Sequence, residues 1–224
     1  MIDSALTTEA LEVEVCAAVA SFRNPLYAGV QAGLPCPPPA TIGGMLAAAA
    51  GGWQHVPQRL RFAACFSATG AGTDLETYHP LDARGRSTEP VPKDRDFLAG
   101  ITLTLWIIED AGLWERVVRR PVWPLRLGRS QDLASARSRR VQLTAGPGSQ
   151  RQAITPTGLT QVGTLLRLPT AVSVDRARTR WDAYRYAAIV GDREIAGDWV
   201  TADGQAVALL PPVHPAQFAA QPVP

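Results

Sequence analysis

Two short stretches set cationic and hydrogen-bonding side chains beside residues that either stiffen the backbone or strip it bare. In the first, "FRNPLYAGVQAGLPCPPPATIGGMLAAAAG" (22–51), Arg23 and Asn24 follow a Val-rich run and Gln31 comes a few residues on. Three consecutive prolines then close the loop, and Thr41, Gly43 and Gly44 open a run of small residues. A guanidinium can fork onto a phosphate or stack on a base, and an asparagine can read a base edge or cap a turn. Backbone N–H groups at a helix start can seat an anion where glycine lets it approach. The same glycines equally allow a helix to pack closely on a sheet. In the second stretch, "PLRLGRSQDLA" (124–134), Gly128 precedes Arg129 and Ser130, and Arg126 shares a face with Gly128 if the segment is extended. Both stretches suit a phosphate or a nucleotide.

Charge distribution points the same way. Between Arg116 and Arg140 there are eight arginines against one acid, Asp132, so this segment carries +7 and leaves −5 on the rest of a chain whose total is +2. Within it, Arg137, Arg139 and Arg140 form a dense run. Such concentration reads as a patch facing a polyanion. Lys93 is the sole lysine among 22 basic residues, which a GC-rich genome would produce, but that bias does not explain the clustering.

Catalytic and metal chemistry are poorly provided for. The three cysteines (16, 36, 65) are odd in number and never in C-x-x-C spacing, arguing against a disulfide framework or a zinc site. Acid–base catalysis needs a positioned proton donor and acceptor, with a cation to stabilise developing negative charge. The three histidines (55, 79, 214) and one lysine form no Lys-His pair; Tyr27 with His79 is the remaining combination. His214, in "PPVHPAQ", reads as part of a tail. The chain is expected to be non-catalytic and to need no cofactor and no metal. An acidic N-terminus without a signal pattern and the lack of a long apolar run lead us to expect a cytoplasmic protein with no membrane partner.

The elements that must position these residues follow from periodicity and punctuation. "LEVEVCAAVASF" (11–22) alternates as a strand, the prolines at 35 and 37–39 impose an extended path, and Thr41 is placed to cap a helix that ends at Gly51 and Gly52. Strands are predicted in "RLRFAACFSA" (59–68) and "FLAGITLTLWIIED" (97–110). A short amphipathic helix is predicted over 111–120, an extended segment over 123–130 and a strand over 139–145. The order strand, helix, strand, strand, helix, strand is the ferredoxin-like βαββαβ pattern of an α+β domain. The polar segment 69–96 is too long for an ordinary hairpin loop. Residues 146–224 read as a mostly β extension, with "ADG" as a tight hairpin turn and a frayed end. The domains are then 1–145, with 69–96 as an insert, and 146–224 packed on it.

"SFRNP", a following glutamine and "PPPATIGGMLAAAAG", together with "LGRS" and its trailing acid, resemble two motifs of the CRISPR-associated Cas5 family, most like its I-B/I-A-type members. The resemblance implies an RRM-type (RAMP) ferredoxin-like fold that binds the 5′ handle of crRNA in a type I Cascade complex. It further implies partners: backbone subunits of the Cas seven type, a large subunit of the Cas eight type and, through the complex, target DNA. RNA contact is expected from Arg23, Asn24, Gln31, Thr41, Gly43, Arg126, Gly128, Arg129, Ser130, Arg137, Arg139 and Arg140. A β-hairpin thumb is expected at 69–96, with Tyr78, His79, Arg84, Arg86, Lys93 and Arg95 as its RNA-facing residues. Some relatives cut precursor RNA without metal, so a pre-crRNA endoribonuclease is the alternative.

Overall fold

The computed structural model describes residues 6–27, 32–82, 84–87, 89–189 and 193–218. Six elements follow in the expected order: β1 (Thr7–Ala20), α1 (Pro39–Ala50), β2 (Ala63–Tyr78), β3 (Val91–Ile107), α2 (Ala111–Arg119) and β4 (Ala134–Ala145). β1 is central and antiparallel to both neighbours, running from Leu11↔Ile107 to Ala20↔Leu98 against β3 and from Thr7↔Thr144 to Ala17↔Ala134 against β4. The alternation of β1 explains this placement. Leu11, Val13, Val15 and Ala17 point into the core beneath the helices, while Glu12, Glu14 and Cys16 take the other face. Each of these larger apolar side chains stabilises the fold by about 1.5–3 kcal/mol when buried.

α1 starts on Pro38 and Pro39, whose φ is already near the helical value, and has no side-chain cap. Thr41, expected as the cap, sits inside the first turn instead, its N–H donating to the Pro38 carbonyl at 2.9 Å. Gly51 in the left-handed region (φ 92°) closes the helix, and its N–H and that of Gly52 satisfy the Ala48 and Ala47 carbonyls. α2 buries Trp114 and Val118 against the sheet.

The segment 69–96 is no loop. β2 and β3 stay paired from Ala63↔Trp106 out to Tyr78↔Val91, well beyond the last β1 partner at Leu98, so most of the polar insert is the stem of a long hairpin. The ladder skips Gly100 (φ 57°), where a Cβ would collide with Thr69 Oγ1, shortly before the last β1 partner at Leu98.

Residues beyond 145 share the core rather than forming a separate one: Ile154, Leu168, Tyr184, Tyr186, Leu210 and Val213 pack with the helices and β1–β3. Short strands β5 (Gly148–Ser149), β6 (Thr155–Pro156), β7 (Thr164–Val172), β8 (Thr179–Tyr186), β9 (Glu194–Ile195), β10 (Trp199–Val200) and β11 (Ala206–Val207) follow. β6, β8 and β7 make a second sheet, with β7 lying against α1. β10 and β11 extend the main sheet, whose order is β11-β10-β4-β1-β3-β2. The turn between them centres on Gly204 (φ 85°), as the "ADG" signal predicts. Tyr186 donates to the Phe66 carbonyl at 3.0 Å, and burial pushes the Tyr184 phenol up to about 12.

Candidate nucleic-acid interface

The chain leaving β1 folds back on itself. Leu34 N–H donates to the Phe22 carbonyl (2.6 Å) and Asn24 N–H to the Ala32 carbonyl (2.9 Å), with Arg23 bridged to Gly33. Asn24 builds the turn at the tip: its Oδ1 accepts from Leu26 N–H at 3.1 Å and its carbonyl from Tyr27 N–H at 3.3 Å. The Arg23 side chain is exposed and forms no ion pair among the described residues. Gln31 lies outside the described residues.

The start of α1 is a poorer anion seat than its sequence promises. Pro38 and Pro39 carry no N–H, and those of Thr41 and Ile42 already point at the Pro38 carbonyl. Gly43 faces inward, where a Cβ would come within 2.7 Å of Val213 Cγ2, so close packing decides this glycine. Gly44 has open space above it.

The second motif is stitched against the exit of β1 by one buried carboxylate. Asp132 accepts from Ser21 N–H (3.1 Å) and Arg129 N–H (3.0 Å), and its other oxygen pairs with the Arg129 guanidinium at 3.1 Å. Gly128 (φ 107°) passes so close that a Cβ would lie 2.8 Å from the Ser21 carbonyl oxygen, which excludes any other residue there. Arg126 and Ser130 are left exposed on the outside of this loop.

The two motifs therefore meet. Arg23, Thr41 and Gly44 from the first and Arg126, Gly128, Arg129 and Ser130 from the second line one groove of about 830 Å³. Its remaining walls were not legible as site residues: Trp53 and Trp123 on one side, and the β7–β8 turn with Ser173, Val174 and Arg176 on another. Trp123 is 60% exposed, in contrast to the packing role its residue type suggests, and its place three residues before Arg126 was the available signal. Arg176 adopts φ 60° in a turn organised by Asp175. The Asp175 carboxylate accepts from the Ser173 hydroxyl at 2.5 Å and Ala177 N–H at 3.1 Å, which hold it below its ordinary value of 3.8. Among the described residues Arg23, Arg126 and Arg176 have no carboxylate partner. Three unneutralised guanidiniums and an exposed indole in one groove can hold a sugar–phosphate chain and stack an unpaired base.

The hairpin differs. Its 69–96 span holds six acids against four bases. Arg95 is 8% exposed and pairs with Asp74 and Glu76, Arg129 also reaches Glu76 at 3.2 Å, and Arg86 pairs with Asp82. Lys93 Nζ lies 4.8 Å from the Tyr78 ring centroid. His79 and Arg84 are exposed, and Tyr78 and His79 share a cleft of about 300 Å³ with Arg23, Arg95 and Arg129. No hydrogen bond joins Tyr27 to His79 among the described residues.

The +7 segment is not one patch. Arg137 and Arg139 lie on the helix-free face of the sheet, opposite Glu14 and Glu12 in register and bonded to them at 2.7 and 2.6 Å. Arg140 turns to the helix side and is divided between Glu9 and Glu115, both at 2.8 Å. Four glutamates outside the segment, Glu9, Glu12, Glu14 and Glu115, are thus engaged by these arginines. His214 is no tail either: it is 8% exposed, and Ala216 N–H donates to Nδ1 at 3.0 Å, which fixes the proton on Nε2, facing the Trp53 carbonyl at 3.0 Å. Among the described residues there is no group of three or more His, Cys, Asp or Glu able to hold a metal, and no helix long and apolar enough to cross a membrane.

A family model described as CRISPR-associated protein (Cas_Cas5) matches residues 10–182. A chain of a CRISPR RNA-guided surveillance complex is similar at 17% identity with TM-score 0.54, covering 93% of this chain and 92% of that one. A chain of a type III-B Cmr-beta complex, solved with cognate target RNA and AMPPnP, is similar at 9% identity with TM-score 0.51, covering 82% and 85%. A search of curated proteins finds no match. At these identities the structural likenesses speak for the fold, and the family model for the lineage.

Proposed function

Because this chain belongs to the Cas5 family of CRISPR-associated proteins, we propose that it is a non-catalytic subunit of a type I Cascade complex which binds and caps the 5′ handle of crRNA. The groove where both motifs meet carries this reading. It gathers Arg23, Arg126 and Arg176, three cations without carboxylate partners among the described residues, beside Trp123. No histidine lines that groove among the described residues, which favours holding over cutting. We read β1–α1–β2–β3–α2–β4 as a ferredoxin-like core, the 69–96 hairpin as the thumb, and the partners as Cas seven-type backbone subunits and a Cas eight-type large subunit. Of the expected RNA contacts, Arg23, Arg126 and Ser130 present free polar heads to the groove, and Arg176 and Trp123 join them.

The test is binding of a handle-bearing guide RNA at several salt concentrations. Each phosphate contact to a single strand contributes roughly 0.7 to the slope of log K against log salt. Replacing Arg23, Arg126 and Arg176 together by Ala is expected to flatten the slope by about 2, with the RNA remaining full length in EDTA. An unchanged slope overturns the groove assignment, and shortening of the RNA overturns the non-catalytic one.

A further inference from the structure

We propose that Arg129, although it belongs to the basic motif, is a positioning residue that latches the long hairpin to the groove rather than an RNA ligand. This rests on the groove being the RNA site, but only for its consequence for RNA.

The β2–β3 ladder is interrupted at Gly100, whose φ is positive, and beyond Leu98 the hairpin has no β1 strand beside it. Its angle must be fixed elsewhere. A chain of ion pairs does this. Asp132 holds the Arg129 loop to Ser21 at the exit of β1; the Arg129 guanidinium bonds Asp132 at 3.1 Å and Glu76 of the hairpin at 3.2 Å. Glu76 also meets Arg95 at 3.6 Å, and Arg95 pairs with Asp74 across the stem. A second tether comes from Asp96, which accepts from Gly33 N–H at 3.1 Å. With side chains of Arg129 and Arg95 only 21% and 10% exposed, the guanidiniums are held among carboxylates and shielded from solvent. An arginine so engaged would have to abandon two carboxylates to reach a phosphate, one of them the buried Asp132. Arg126, two residues before Gly128 and exposed, has no such obligation.

The experiment compares Arg129→Met, Glu76→Gln, the double variant and Arg126→Ala in the full chain, by hydrogen exchange and by salt-dependent binding of a labelled single-stranded RNA. Expected are roughly tenfold faster exchange in the stem strands for either latch variant and a double variant no worse than the singles. Arg129→Met should leave the salt slope as it was, whereas Arg126→Ala lowers it by about 0.7. A lowered slope for Arg129→Met with stem exchange unchanged makes Arg129 an RNA ligand and overturns the latch, as do strictly additive exchange effects. If no variant or wild-type chain binds RNA, the exchange results alone decide the latch, and the failure belongs to the proposed function.

Discussion

The groove and the helix-free face of the sheet both carry exposed arginines, yet only one of them has charge to offer. On the sheet face, Arg137 and Arg139 lie across from Glu14 and Glu12 on the neighbouring strand and are neutralised there. In the groove, Arg23, Arg126 and Arg176 come from three distant parts of the chain, and no acid meets them among the described residues. Sequence density of arginine is therefore no guide to pairing: the densest run is ion-paired, and the groove's arginines without carboxylate partners among the described residues are dispersed in sequence and gathered by folding. A cation that must first leave a carboxylate contributes less to polyanion binding than one that need not.

The sharpest way to break this contrast is to remove the carboxylate that builds the groove. Asp132→Ala leaves Arg129 and the Ser21 amide without their buried acceptor and is expected to destabilise the fold by about 3–5 kcal/mol, measured by urea unfolding. Next, Trp123→Ala is expected to weaken single-strand binding by about 1–3 kcal/mol while leaving the unfolding midpoint in place, because the indole is 60% exposed. Equal loss from Trp106→Ala, on the opposite face, would dissolve the distinction between the two regions. Arg137→Ala with Arg139→Ala should then leave both RNA affinity and its salt slope unchanged, since these side chains are already paired at the surface. The smallest effect concerns the turn presenting Arg176. Hydrogen bonds from Ser173 and Ala177 lower the Asp175 pKa, so its contribution is fully present above the ordinary value of 3.8 and is lost as pH falls through the lower folded value. Amide signals of residues 176–178 should hold their shifts down to about pH 4 and move below it, and Asp175→Asn should show the moved shifts already at neutral pH.

What could be read in the chain and what could not divide along physical lines. The six-element order was legible because each element either alternates against a single buried face, as in Leu11, Val13 and Val15, or is bounded by glycine and proline, as α1 is by Pro38 and Gly51. The hairpin's length was hidden because its outer stem buries no apolar face: Thr73, Leu75 and Thr77 are exposed, and the inner side carries Asp74, Glu76 and Arg95. The meeting of the two motifs was suggested by their chemistry, but its agent, Asp132, was visible only as the lone acid in a basic stretch. Pairing of Arg139 with Glu12 needs the β1–β4 register, which local sequence does not encode. Gly43 admitted two readings, and Val213, far along the chain, decides between them together with Trp53.

That last contact reaches into how the protein is made. Val213 forms part of the groove wall and His214 ties its neighbourhood to Trp53, so a ribosome that has released "FRNP" and "LGRS" has not yet delivered a finished cleft. A nascent chain carries both arginine motifs long before it owns the surface that unites them, and the groove is complete only once residue 213 has folded home.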